Sequence, residues 1–326
     1  MYSLYCPQCR PRPLLVQRSY LSLYSQSLSI GTVTLSLMGR KKGGRVSPDI
    51  NASNGPVAGV YPTSTGTVEL RPDSFMSHAW EVYVNGVPSS HICEDPSRLE
   101  YEYMRWIATA VEWFVTAHAS PTALRVTHLG GGACTMARYL AHQYPKSRNT
   151  VVELDGELAR LARVWFDLPR APLLKIRVGE AREVTNSFTD ASRDVIIRDV
   201  FAGDSTPLPL TTVEFFRHCH RSLAPGGLYV ANCGDHSDLR GARAELKGMA
   251  EVFTHVACIS DPAMLKGRRY GNLILIGTDS PLPDLTATQH ITRSLLGGGV
   301  PAHYKDDAWT RNFMAAGVPR FDPPAA

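Results

Sequence analysis

Residues 126–155, VTHLGGGACTMARYLAHQYPKSRNTVVELD, decide the fold. An apolar run, Val126 to Leu129, enters Gly130-Gly131-Gly132. A helical segment follows, and a second apolar run, Val151-Val152, ends in Glu153 and Asp155. Glycines at the first turn let the backbone come close to a ligand. The helix N-terminus adds free N–H donors. A carboxylate at the end of the second strand can accept from both hydroxyls of a ribose. The constellation points to the adenosine half of a cofactor. A dinucleotide fingerprint needs a third glycine, and position 135 is Thr, so Gly130-x-Gly132 stands alone. A tight strand-to-helix turn with a surface acid shares the pattern. The acid about twenty residues on, with an alternating α/β pattern behind it, favours the nucleoside.

Working outward, strands are predicted at 124–129, 149–154, 173–178, 194–199 and 228–232, with helices at 133–143, 156–166, 180–187 and 211–223 between them. Ala224-Pro225-Gly226-Gly227 stops the last of these helices. A helix over 237–252 then precedes two strands, 254–260 and 272–277, with no helix between them. Residues 122–280 are therefore expected to form an α/β, Rossmann-like domain whose seven-stranded sheet closes on an antiparallel pair.

Upstream, 61–98 reads as a small β lobe. Its pieces are Thr67–Leu70, Ala79–Val84 and Ser89–Ile92, with Asn85-Gly86 as the hairpin signal. A helix over 97–118 fills the linking segment 99–121, with Met104, Ile107, Val111 and Phe114 at helical spacing. Residues 281–326 read as a Pro/Gly-rich tail with one helical patch around Asp306–Met314. Residues 1–60 lack lasting periodicity and read as disordered or mis-started, because Met38 precedes a basic run that looks like an alternative start.

The chain has 326 residues, 44% of them hydrophobic and 20% charged, with a net charge of +4. Much of the basic excess lies in Arg10, Arg12, Arg18, Arg40, Lys41, Lys42 and Arg45, so nucleic-acid binding is not expected of the folded part. No run is long and apolar enough to span a membrane. Cys6 and Cys9 form a lone C-x-x-C without a second pair, and no metal is expected. Cys134, Cys219, Cys233 and Cys258 fall in elements read as core, and an odd total of seven fits a reducing cytoplasm. His78 and His91 read as surface or hairpin residues.

The order of parts resembles the spermidine synthase family, the polyamine aminopropyltransferases built on the class I methyltransferase fold. The parts are a β lobe, a helix, a Gly-rich turn, an acid, a Gly-acid pair and an Asp ending the fourth strand. Arg198-Asp199-Val200-Phe201-Ala202-Gly203 and Leu210-Thr211-Thr212-Val213-Glu214-Phe215-Phe216 look like a divergent actinobacterial branch. The resemblance covers about residues 67–280.

The resemblance implies roles residue by residue. Gly130, Gly131 and Gly132 form the cofactor turn. Glu153 matches the acid that holds the ribose hydroxyls. Glu180 and Ala181 match the pair that reads the adenine amino group. Asp199 matches the base that accepts a proton from an attacking amine. Tyr101 matches the tyrosine that opens the helix after the β lobe. The implied cofactor is S-adenosylmethionine or its decarboxylated form. The implied partner is a small-molecule substrate, an amine in the family, and a homodimer is left open.

Three departures concern the amine half. Ala133 and Cys134 stand where the family has Asp-Gly, Ser89 stands at a substrate-contacting Gln, and Glu102-Tyr103 replaces a His/Gln-Glu pair. A charged hydrogen bond of the kind lost at Ala133 is worth about 1.5–3 kcal/mol. The change leans toward a methyl donor, or toward no catalysis. On its own pattern, Asp199 sits where open α/β sheets bind ligands, although a cap or a loop salt bridge would also use an Asp there. Asp204 is a second acid for a cationic substrate, or a turn residue before Ser205-Thr206-Pro207. An alkyl transferase, a methyltransferase and a nucleoside-binding protein without turnover all remain open.

Overall fold

The computed structural model describes residues 55–324. The expectations for residues 1–54, including Met38 and Cys6-x-x-Cys9, lie outside the described residues. The described chain opens with β1 (Gly59–Thr63), β2 (Gly66–Pro72), β3 (Ala79–Val84) and β4 (Val87–Cys93), an antiparallel sheet in the order β1-β2-β3-β4. Asn85 and Gly86 carry positive φ at the β3–β4 turn, as the hairpin dipeptide requires. Helix α1 (Glu102–His118) follows.

The main sheet is assembled by alternation. In order come β5 (Arg125–Leu129), α2 (Thr135–Gln143), β6 (Arg148–Glu153), α3 (Gly156–Trp165), β7 (Leu174–Val178), α4 (Ala181–Asn186), β8 (Arg193–Arg198), α5 (Val213–Ser222), β9 (Leu223–Asp235) and α6 (Arg240–Met249). Then come β10 (His255–Ser260), α7 (Pro262–Leu265), β11 (Gly271–Thr278), α8 (Leu285–Leu296), β12 (His303–Lys305) and α9 (Asp307–Phe313). The strand order is β12-β10-β11-β9-β8-β5-β6-β7. Strands β5 to β9 pair in parallel, whereas β11 runs antiparallel to both β9 and β10.

Two apolar layers sandwich this sheet. On one face Ile107, Val111 and Phe114 of α1 join Val195, Ile197, Val230 and Ile274. On the other, Phe215, Phe216, Leu246 and Met249 join Ile196, Tyr229 and Leu275. Burial on both faces explains the unbroken Val195-Ile196-Ile197 run. Each such side chain contributes about 1.5–3 kcal/mol.

The β lobe closes on α3 through Tyr61, Val68 and Leu70 against Leu158, Leu161 and Trp165. Asp155 fastens the same junction. It caps α3 by accepting from Leu158 N, and it also accepts from Ser64 N, Thr65 N and Thr65 Oγ1. Burial pushes its carboxyl up, but those donors outweigh burial and hold it well below the usual carboxylate range.

Four features differ from the sequence reading. Strand β1 begins at Gly59, inside the stretch read as disordered, and adds an unexpected strand to the lobe. A one-turn helix, α7, lies between β10 and β11; Asp261 caps it and Pro262 opens it, a start signal too short to show periodicity. The segment read as a Pro/Gly-rich tail supplies α8 and β12 besides the expected helical patch, α9, and β12 adds an eighth strand beside β10. Only Ile291 and Leu295 of α8 are buried, and β12 has three residues, so neither pattern stands out in sequence. His91, read as a surface or hairpin residue, lies on the β3–β4 hairpin but is buried, its Nε2 2.8 Å from Asp73 Oδ2. The five cysteines among the described residues are all buried.

Candidate active site

The register of the parallel strands sets the site. Leu129 stands opposite Val152 and Arg198, and Arg198 opposite Ala231. The next residue in each chain therefore falls in one row at the carboxyl ends: Glu153, Gly130, Asp199 and Asn232. The β5–β8 neighbours are also the point where the sheet changes winding direction, which is where open α/β sheets bind ligands.

Gly130 has φ +88°, and a Cβ there would stand 2.1 Å from the Asp199 carbonyl oxygen. Only glycine lets the two strand ends come this close. Gly131 N and Gly132 N donate to Glu153 Oε2 at 2.9 and 3.0 Å, and Asp155 N donates to Glu153 Oε1 at 3.0 Å. The carboxylate is thus fixed by three backbone donors. Oε1 has taken one of them and keeps acceptor capacity for a ribose hydroxyl. Beside it Leu154 is 58% exposed, an apolar surface for a flat base. These residues fit a nucleoside.

Gly179 N donates to the Glu153 carbonyl, so Glu180 starts α4 next to this acid. Glu180 caps α4 by accepting from Glu183 N at 2.8 Å, and Ala181 is buried behind it. The β lobe reaches the glycine turn through β4. Ser90 Oγ accepts from Ala133 N at 3.1 Å, and a Cβ on Gly132 would meet Ser89 Oγ at 2.9 Å. Ala133 and Cys134 are buried and pack in the same apolar cluster as the β lobe.

Asp199 is at the heart of a polar cluster. Tyr103 Oη donates to its Oδ2 at 3.1 Å, and Asn232 Nδ2 donates to its Oδ1 at 2.9 Å. Burial pushes the Asp199 carboxyl up; the two donors and the nearby Arg198 charge pull the other way and do not cancel it. Tyr101, just before α1, stacks on Tyr103 with centroids 6.0 Å apart. Asp204 is exposed on the outer loop, its carboxylate 3.4 Å from His236 Nε2 and its carbonyl accepting from Tyr270 Oη at 2.7 Å.

Two groups at this centre escaped the sequence reading as partners of Asp199. Asn232 is a polar residue in an apolar strand, which is a readable signal. Tyr103 stood out only as a departure from the family pattern. Arg198 is a third polar intrusion. Fully buried, it donates to the Leu210 and Asn232 carbonyls and lies 2.8 Å from Glu245, tying the loop after β8 to β9. Among the described residues no group of three or more His, Cys, Asp or Glu is placed to hold a metal, and no helix is long and apolar enough to cross a membrane.

The sheet order, the glycine turn and the strand-end acid define a protein of the class I methyltransferase fold. The family described as "Methyltransferase domain" matches residues 127–231. The chain is 63% identical to the solved structure of a probable spermidine synthase from Corynebacterium glutamicum ATCC 13032, covering 83% of this chain and 98% of that one with a TM-score of 0.81. It belongs to the spermidine synthase-like family of transferases. The solved spermidine synthase from Thermotoga maritima shares the fold at 16% identity, covering 81% of this chain and 84% of that one, with a TM-score of 0.52. The polyamine aminopropyltransferase of Neisseria meningitidis serogroup B (strain ATCC BAA-335 / MC58) is 30% identical over 147 residues, 45% of this chain and 54% of that protein. The chain spans about half the length of such curated relatives.

Proposed function

We propose that this protein is an alkyl transferase that uses an adenosyl-sulfonium cofactor and deprotonates its acceptor with Asp199. The observation that carries the reading is the half-buried Asp199 carboxylate, held by Tyr103 and Asn232 beside the Gly130 turn. A sulfonium, when bound, supplies an electrophilic carbon next to a positively charged sulfur. The chain's own contribution is to align and to deprotonate. Glu153 would hold the ribose, Glu180 and Ala181 would flank the adenine, and Gly130 to Gly132 would carry the chain of the sulfonium. Asp199, with a carboxyl raised by burial, is a stronger base than an exposed aspartate and takes the proton of the attacking group. Tyr101, Ser89 and Asp204 belong to the acceptor side in this reading.

One observation favours the methyl donor over the aminopropyl donor. Ala133 replaces the family's ammonium-binding Asp, and its backbone N–H is engaged by Ser90. S-adenosylmethionine carries a carboxylate, which an Asp at this turn would repel and Ala133 does not.

Calorimetry with methylthioadenosine, S-adenosylhomocysteine and the intact and decarboxylated sulfonium donors tests both points. Binding of at least one thioether product is expected, with inefficient aminopropyl transfer to putrescine. Absence of binding by all four would overturn the nucleoside reading, and robust spermidine formation would overturn the preference for the methyl donor.

A further inference from the structure

Beyond Asn232, β9 continues outward through Gly234. The two residues share one face of the strand, and Gly234 lies roughly 7 Å further out. A Cβ on Gly234 would stand 2.6 Å from Tyr270 Oη, 2.8 Å from Phe201 Cε1 and 3.1 Å from the Asp204 carbonyl. The missing side chain is what lets two aromatic residues from separate segments meet over β9. His236 extends this wall, its ring 5.1 Å from that of Tyr270.

The cleft therefore has two levels. At its floor lie the Asp199 carboxylate and the Asn232 amide, whose Oδ1 is buried and accepts from no group among the described residues. Above the floor the lining turns aromatic. The carboxylates that these contacts bring to the cleft differ sharply. Asp199 is half-buried and held by Tyr103 and Asn232, whereas the Asp204 side chain is 57% exposed and already faces His236.

We propose that the wall formed by Phe201, Tyr270 and His236 over Gly234 selects the acceptor, and that the acceptor is an amine carrying one positive charge on an aromatic body. The inference rests on Asp199 marking the reacting end. An ammonium placed there meets a desolvated carboxylate and, at Asn232 Oδ1, a second acceptor for its N–H groups. The rest of the molecule then passes the aromatic wall, where a flat apolar body is favoured. A second ammonium that passed this wall would meet Asp204, where solvent screens the charge and His236 competes for it. A diamine gains little from this cleft, and an aralkylamine gains from both levels.

The test is calorimetric titration of the protein with 2-phenylethylamine and with putrescine, with and without saturating methylthioadenosine. Methylthioadenosine affinity is read separately, so failure of the nucleoside reading is distinguishable from failure of this one. The expected result is that 2-phenylethylamine binds about tenfold tighter than putrescine or better. Gly234→Ala should remove most of that preference by pushing Tyr270 and Phe201 apart. Phe201→Ala, which leaves the strand untouched, should do the same, with methylthioadenosine affinity unchanged in both. Equal or tighter binding of putrescine, no binding of either amine, or a preference that survives both substitutions would overturn the proposal.

Discussion

Asn232 donates its Nδ2 hydrogen to Asp199 Oδ1 across 2.9 Å, from the neighbouring parallel strand. The carboxylate is therefore oriented by the sheet itself rather than by a loop. Burial still dominates its electrostatics and raises its carboxyl from the usual aspartate value. A group whose folded pKa is raised contributes stability that is full below its unfolded value, about 3.9 for Asp, and is lost as pH rises through the folded value. Asp199→Asn cannot ionise and escapes that loss. The variant should melt above the parent near about pH 8, and the gap should narrow toward about pH 4. Thermal unfolding across this range checks the sign, and a gap independent of pH would rule out the raised carboxyl.

The same substitution should separate binding from chemistry. Asp199→Asn should reduce turnover by about 10²–10⁴-fold, the usual contribution of a positioned base. Thioether binding at Glu153 should be unchanged. In the parent, kcat/KM should rise with pH as Asp199 loses its proton, at a pH above the ordinary carboxylate range. Turnover assays with calorimetry on the same preparation decide this.

Glu153 and Glu157 provide a paired control. Glu153 is bound by three backbone donors beside the glycine turn, whereas Glu157 pairs with Arg160 on the surface of α3. Glu153→Ala should weaken methylthioadenosine by about tenfold or more, and Glu157→Ala should leave it unchanged. Equal losses in both variants would move the nucleoside elsewhere.

Asp155 should show the opposite pH behaviour from Asp199. Its folded pKa is depressed, so its stabilisation is present above about pH 3.9 and is lost as pH falls. Asp155→Asn should cost about 1.5–3 kcal/mol at neutral pH and flatten the acid limb of stability. It should also speed hydrogen exchange at the Ser64 and Thr65 amides, which donate to this carboxylate. Urea unfolding and exchange measured together would show whether the β lobe loosens with the cap.

The sheet was legible because its strands are buried on both faces and punctuated by glycines. Val195-Ile196-Ile197 and Gly130-Gly131-Gly132 are such signals, each local in sequence. The proposed nucleoside residues stood out in sequence for the same reason, since Glu153 ends β6 and Glu180 lies two residues beyond β7. The acceptor half was not. Tyr103, Asn232, Gly234 and Tyr270 come from three separate segments, and only the pairing of β9 with β8 and β11 and the packing of α1 bring them together. Ala133 shows a different limit: the sequence marks it as a departure, but only packing shows that it faces the β lobe.

The three residues of β12 have a role out of proportion to their length. They pair with Cys258, Ile259 and Ser260 of β10, a strand with a buried, nearly uncharged sequence. A chain ending after β11 would leave those backbone groups bare along a flat apolar margin, which is a template for pairing with other molecules. The short C-terminal strand thus acts as a guard against self-association, and truncation there would be expected to yield an aggregating protein even if the nucleoside site folded intact.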